Sequence, residues 1–567
     1  MHSLVIRNAT LIDGTGGPSQ KGDLAIDGRL ITSVGGVAGP GERDIDADGK
    51  IVTPGWVDIH THYDGQATWD PIMAPSSWHG VTTVVMGNCG VGFAPVRPGQ
   101  QQFLIELMEG VEDIPGSALA EGITWEWESF PEYLDALEKL PRTIDVGAQV
   151  PHAAVRAYVM GEHCNGDAQP DADQLRQMAE LVREGVAAGG LGFTSSRTLL
   201  HRDVHGEYVP GTFAGSDEML TLGLGMKGVG HGVFELVSDH LGDDDEWTWV
   251  KSFAKETGLS VTLIPTSAAA YENGHVYRVA EEARREGMEI LPQIAGRPTG
   301  ILHGLQSSFH VFIRTPTYIA ECAGKDLAEI VRIMQRPEIR SALLGEAGKQ
   351  ALGFMGSPER MLRQVFPLGD TPNYEPTEAE SVSGIAASRG QDAIEVMYDL
   401  LVGEGGRELF YQPLGAYTEF NLDERRETMQ HPNVVMGLSD GGAHCGVIAD
   451  AGMPSFILTH WGRDRTRGEQ LPLEFIVHSL SARTAAAYGI HDRGVLEPGK
   501  LADINVIDFD SLRLHRPEAV FDLPLGGRRL VQRVEGYDYT IKSGEVTFEA
   551  GEPTGARPGT LVRGGAA

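Results

Sequence analysis

Near the N-terminus, short apolar runs are separated by turn residues. Leu4 to Ala9, Asp23 to Ile26 and Leu30 to Val34 read as strands, with Asp27-Gly28 as a hairpin turn. The pattern returns near the other end, in Ala502 to Ile507, Leu530 to Val534 and Tyr539 to Ile541. Two strand-rich ends flanking a different middle predict one small β domain, of sandwich type, built from residues 1–54 and 487–555. Residues 556–567, rich in Gly, Ala and Pro, read as a loose tail.

In the middle, strand-like runs alternate with amphipathic helices. The strands are Ile51 to Ile59, Thr82 to Met86, Ile144 to Val150, Gly190 to Phe193, Gly232 to Val237, Leu259 to Pro265, Glu289 to Ile294 and Asn433 to Leu438. Helical periodicity covers Asp171 to Ala188, Asp244 to Thr257 and Val276 to Glu286. Eight such units predict an α/β fold, a TIM-type (β/α)8 barrel over 55–486, with its site at the C-terminal ends of the strands. The stretch from about 300 to 405 is too long for one connection and predicts a helical insertion.

The barrel pattern gives meaning to His60 and His62, which end the first strand. Side chains alternate faces along a strand, so the two imidazoles point the same way and make half of a transition-metal site. Cys89 follows the second strand in Gly-Asn-Cys-Gly, and Asp440 follows the eighth in Ser-Asp-Gly-Gly. Each alone reads as well as a turn residue or a helix cap. Two imidazoles, a thiolate and a carboxylate gathered at one mouth suit Zn²⁺.

Composition narrows the partners. The chain has 567 residues, 41% of them hydrophobic, with 73 glycines and a net charge of −33. That charge repels nucleic acid and anionic membranes and leaves a small-molecule substrate as the expected partner. No apolar run approaches a membrane-spanning length, and the N-terminus enters a strand pattern at once, so a cytoplasmic location is expected. Cys89, Cys164, Cys322 and Cys445 show no CxxC spacing and form neither a disulfide framework nor a zinc ribbon. No feature identifies an oligomer interface, although barrels of this kind often form homo-oligomers.

Together, Pro54-Gly-Trp-Val-Asp-Ile-His-Thr-His62, the Ser439-Asp440-Gly441 turn and the run Gly494-Val-Leu-Glu-Pro-Gly-Lys-Leu-Ala-Asp503 resemble the amidohydrolase superfamily. The Gly87-Asn-Cys-Gly90 turn and the His60-Thr-His-Tyr-Asp64 run narrow the resemblance to the D-aminoacylase (N-acyl-D-amino-acid deacylase) branch. What this implies is hydrolysis of an amide bond by metal-activated water, with Asp440 as general base and then acid. Cys89 matches the position that binds or bridges metal in D-aminoacylases. Many relatives use a carboxylated lysine from strand four instead, but no lysine occurs between Lys139 and Lys227.

The chain also departs from that branch, whose strands five and six each end in a metal-binding histidine. Strand five offers Glu235, Asp239 and His240 nearby, and strand six offers no histidine. One Zn²⁺ held by His60, His62, Cys89 and Asp440 in some combination is therefore favoured over two, with Glu235 or His240 as further members. Arg197 reads as a substrate contact or as an ion pair with one of the many acids, His152 as a substrate contact or a strand-end structural hydrogen bond, and His444, a few residues past the Ser-Asp-Gly turn, as a further candidate substrate contact. Arg297 is a similar candidate, His201 and His205 read as part of a solvated polar loop or else of a lid, and His460 reads as packed. Trp69, Trp78, Trp125 and Trp127 read as pocket lining or core. Other readings are a hydrolase of another amide, cyclic amide or carbamate, or a metal-free barrel serving as an assembly or binding protein.

Overall fold

The computed structural model describes residues 1–349, 356–415 and 417–565. Residues 350–355 of the expected insertion and Ala566 and Ala567 of the expected tail lie outside the described residues.

Strands from both ends of the chain share one nine-stranded sheet. His2–Leu11 lies antiparallel to Gln20–Asp27 and parallel to Gly41–Asp46 and Ile51–Pro54. Ile51–Pro54 pairs antiparallel with Ile504–Ile507, which continues through Tyr537–Lys542 to Glu545–Glu549. Leu4, Ile6, Leu24, Val52, Ile504, Val506 and Ile541 form one buried cluster from both termini.

The run expected as one strand, Ile51 to Ile59, is divided at Gly55. Ile51–Pro54 belongs to the terminal sheet, whereas Trp56–Asp58 begins a second, parallel system. Any side chain at Gly55 would meet Thr82 at 2.3 Å, so the crossing needs glycine.

The second system comprises β1 (Trp56–Asp58), β2 (Val81–Met86), β3 (Asp145–Ala148 and, past Gln149, Val150–Pro151), β4 (Gly192–Arg197), β5 (Val233–Ser238), β6 (Ser260–Pro265), β7 (Ile290–Ile294) and β8 (Val435–Met436). Each strand pairs in parallel with the next. Beyond β8, Gly441 bridges in parallel to Thr61 beyond β1, so the last strand's extension meets the first's. Strands β2 and β5 are buried throughout, as expected where helices cover a parallel sheet.

The helices between them start and stop where local chemistry dictates. Ala172–Ala187 begins at Asp171, whose carboxylate accepts from the Asp173 and Gln174 amides. Asp244–Thr257 ends at Gly258 in the left-handed region, φ 71°. The expected insertion is mostly helical and has its own core, with Val311, Phe312, Met334, Leu343, Met397 and Leu401 buried together. A small sheet of Gly300–His303, Phe410–Pro413 and Phe366–Pro367 flanks it.

The segment expected to be a loose tail is instead docked. Val146 donates to the Thr560 carbonyl at 3.1 Å, Val562 donates to the Val146 carbonyl at 2.8 Å, and Thr560 donates to Asp145 at 2.6 Å. Arg563 pairs with Asp135 and Glu138 at 2.9 and 2.7 Å. Its small residues permit this close backbone approach: a side chain at Gly559 would meet the Ile144 carbonyl at 2.2 Å. Asp145 also pairs with Lys542 at 2.7 Å and with Arg493, and Lys542 reaches Asp503 at 2.7 Å. This buried ion network ties β3 to the terminal sheet. Among the described residues no helix is long and apolar enough to cross a membrane.

Candidate metal centre

His60 and His62 follow β1 with their side chains 0% and 1% exposed. Their backbone is fixed by the β8 extension: Asp440 N–H donates to the His60 carbonyl at 3.2 Å, and His62 N–H to the Gly441 carbonyl at 2.8 Å. Asp440 holds a left-handed φ of 51°, which turns its side chain back over the histidines. Its Oδ1 lies 3.5 Å from His60 Nε2 and 4.0 Å from His62 Nε2.

Cys89 arrives from the turn after β2. Gly87 has φ 82°, and a side chain there would strike the Gln149 carbonyl at 2.4 Å. Asn88 staples the turn by donating to the Thr61 and Val85 carbonyls, each at 3.0 Å. Cys89 itself is left-handed, φ 56°, and its Sγ lies 3.4 Å from His60 Nε2. One ligand atom from each of His60, His62 and Cys89 falls within 4.8 Å of the others.

Surrounding groups set the chemical state of these ligands. His60 Nδ1 lies 3.2 Å from Gln293 Oε1 on β7, and Gln293 Nε2 donates to Thr262 Oγ1 on β6 at 3.1 Å. The amide oxygen can only accept, so the proton sits on His60 Nδ1 and the Nε2 lone pair faces Cys89 and Asp440. Burial pulls His60 down to about 3, with Gln293 opposing, and takes His62 well below its ordinary value. Both imidazoles are thus neutral, the form that ligates.

The acids tell the complementary story. Burial, then the neighbouring Asp450 and Asp58, push Asp440 up to about 8, and burial pushes Glu235 to about 8. Cys89 and Glu112 rise well above their usual values, burial first and then the neighbouring acids, Glu235 and Glu112 for Cys89 and Asp440 and Asp64 for Glu112. His62 Nε2 and Glu235 Oε1 are buried without a hydrogen-bond partner. Neutral imidazoles, mutually repelling acids and orphaned donor atoms around one point are what a divalent cation would resolve. The residues present fit Zn²⁺.

Residues 43–548 match the amidohydrolase family. The chain belongs to that family. As an amidohydrolase it is similar over 99% of its length to the N-acyl-D-aspartate deacylase of Alcaligenes xylosoxydans xylosoxydans, at 26% identity and 95% coverage of that protein. The N-acyl-D-glutamate deacylase of the same organism matches at 26% identity, over 99% of this chain and 96% of the relative. Among solved structures, D-aminoacylase with its binuclear metal centre superposes with a TM-score of 0.65 at 21% identity, over 99% of this chain and 100% of that one. The N-acyl-D-glutamate deacylase of Bordetella bronchiseptica, complexed with zinc and a phosphonate inhibitor, gives 0.64 at 23%, over 99% of each chain. These relatives place the chain in the D-aminoacylase branch, and the structures share its fold.

The remaining candidates divide. His444 is at the site, with its ring centroid 6.5 Å from that of His62 and its side chain 26% exposed. His201 stands near it, held by Ser196 Oγ at 2.9 Å, and burial followed by the His444 charge pulls it to about 4. Glu235 lines the centre from β5, its Oε2 accepting from the Cys89 amide at 3.1 Å. His240 does not line it; it is half exposed and 3.6 Å from Asp243. Asp239 is spent on Thr198, Thr266 and the Leu199 amide.

Two expected substrate contacts are corrected. On β4, Thr194 and Ser196 face the Cys89 turn and His201, so Ser195 and Arg197 point outward. Arg197 pairs with Glu246 of the covering helix. His152 places its ring nitrogens 2.8 Å from Ser195 Oγ and 3.1 Å from Glu218 Oε1, leaving none for a ligand. Arg297 is likewise held, by Asp450 at 2.7 Å and over the Tyr374 ring at 4.0 Å. His205 is exposed beside Glu106, and His460 stacks on Phe456 at 4.8 Å. Trp125 and Trp127 pack on Phe93 and Tyr133, and Arg533 covers Trp78. Sequence reasoning missed Gln293 and Glu112. A glutamine in the middle of the apolar run Ile290–Ile294 was the available signal for the first; Glu112, last in the helix Gln101–Glu112, gave none.

Proposed function

We propose that this amidohydrolase cleaves the amide bond of an N-acyl amino acid, of D configuration, using one Zn²⁺ held by His60, His62, Cys89 and Asp440. The observation that carries the reading is the convergence of those four side chains, with orphaned buried atoms around them. The relatives named N-acyl-D-aspartate and N-acyl-D-glutamate deacylase supply the substrate class. When bound, the metal would lower the pKa of water and polarise the amide carbonyl.

The chain's own residues do the rest. Asp440 takes the proton from water on the mouth side and hands it to the leaving nitrogen. His60 and His62 stay neutral through burial, which at His60 outweighs the opposing Gln293 acceptor on Nδ1, so they do not compete for that proton. His444, partly open to the mouth, contacts the substrate. The parallel strands that meet end to end support a closed (β/α)8 barrel over 55–486, and the mixed terminal sheet supports a β-sandwich domain over 1–54 and 487–555. Release of free amine from a panel of N-acyl D- and L-amino acids, with Asp440→Asn as control, tests the proposal. Undiminished turnover by that variant would refute the role of Asp440.

A further inference from the structure

Glu112 is a buried acid, 1% exposed, at the last position of a helix between β2 and β3. The carbonyls at a helix C-terminus make the local potential negative, so a carboxylate there is disfavoured. Its charged neighbours make matters worse: Asp440, Asp64 and Glu235 all push it toward the neutral form, and no lysine or arginine pairs with it among the described residues. A side chain chosen for stability alone would not be an acid here.

What lies within reach of it are two histidines. Oε1 is 3.3 Å from His62 Nδ1, and Oε2 is 3.4 Å from His444 Nε2. Neither contact is aligned as a hydrogen bond in the metal-free chain, a looseness that active sites commonly lose on binding. The backbone reinforces the link. The Glu112 carbonyl accepts from the His444 amide, and Asp113 Oδ2 accepts from the Gly446 amide at 3.0 Å. The helix end is therefore fastened to the segment that carries Asp440 and His444.

We propose that Glu112 is a positioning residue of the metal centre, accepting from Nδ1–H of His62 so that Nε2 ligates, and from Nε2–H of His444 so that this ring stays at the mouth. His60 has the same arrangement through Gln293, but with a neutral amide as the acceptor. Glu112 does more than orient His62: it joins a metal ligand to a mouth residue, so filling the metal site also sets the His444 ring. The inference rests on the metal-dependent reading above.

The test is zinc affinity, measured by competition with a chromophoric chelator on the full-length protein, together with thermal melting of the metal-free chain. Glu112→Gln keeps shape and removes the charge. The expected result is a loss of about 10- to 100-fold in zinc affinity, with metal-free melting unchanged, because neither Glu112 oxygen holds a hydrogen bond in the metal-free chain. Glu112→Asp, which keeps the charge at shorter reach, should retain more affinity than Gln and serves if Gln fails to fold. A merely structural role predicts the opposite: lower melting and unchanged zinc affinity, and that result overturns the inference. If His60→Ala loses zinc while Glu112→Gln binds as wild type, the role of Glu112 fails and the metal reading stands. If wild type, His60→Ala and Glu112→Gln all bind alike, both fail.

Discussion

Replacing Gln293 by leucine isolates one link in the centre. Gln293 is fully buried and makes two side-chain hydrogen bonds, 3.2 Å to His60 Nδ1 and 3.1 Å to Thr262 Oγ1. Leucine has nearly the same volume, so the loss is of polarity and not of packing. Two buried polar groups lose their partners, at about 1–3 kcal/mol each, which predicts a stability loss of about 2–6 kcal/mol in the metal-free chain. His60 also loses what fixes its proton on Nδ1, and zinc affinity should fall about 10- to 100-fold, or roughly 1.4–2.7 kcal/mol. Denaturant unfolding reads the first quantity and chelator competition the second. Gln293→Glu, which keeps an acceptor opposite Nδ1, should hold most of the affinity. Zinc binding by Gln293→Leu at wild-type strength would show that His60 does not depend on this bond.

Arg197→Ala should leave KM for an N-acyl amino acid unchanged while costing about 3 kcal/mol of stability, because it strands Glu246; a KM rise of about tenfold or more without loss of stability would restore the arginine to the substrate. A pH effect should arise at Glu375: burial opposes ionisation, but His460, Arg465 and the Leu422 amide outweigh it and hold the carboxyl at about 2. Its folded value lies below its unfolded one, so the stability it contributes, about 3 kcal/mol, is present above about pH 4.5 and lost as pH falls toward 2. Glu375→Gln should therefore be less stable than wild type at pH 6 and nearly equal to it near pH 2, and a pH-independent gap in denaturation midpoints would contradict this.

What was legible in the sequence was written in local patterns. The helix Asp244–Thr257 has the expected bounds, and Ala172–Ala187 lies one residue inside the expected ends, because caps and periodicity act within a few residues. The shared location of His60, His62, Cys89 and Asp440 was legible because each closes a strand at the same end of a parallel system. Strand four was expected over Gly190 to Phe193, but β4 runs Gly192–Arg197, and alternation along it turns Arg197 outward to Glu246. Gln293 and Glu112 lie 233 and 50 residues along the chain from the histidines they face, and apart from a polar residue within an apolar run at Gln293 nothing local marks either. The docked tail depends on backbone pairing with β3, to which composition is blind. The division at Gly55 was hidden because both halves of the run are apolar and buried.

The central claim is that amide hydrolysis depends on an ion held by His60, His62, Cys89 and Asp440. Metal content by mass spectrometry, measured on the same samples as turnover of N-acyl-D-amino acids, tests it most directly. The account predicts one zinc per chain, activity that disappears with a chelator and returns with zinc, and loss of both metal and activity in His60→Ala. Full turnover by demonstrably metal-free protein would contradict it, and two tightly bound ions per chain would replace the single-ion centre with a second site.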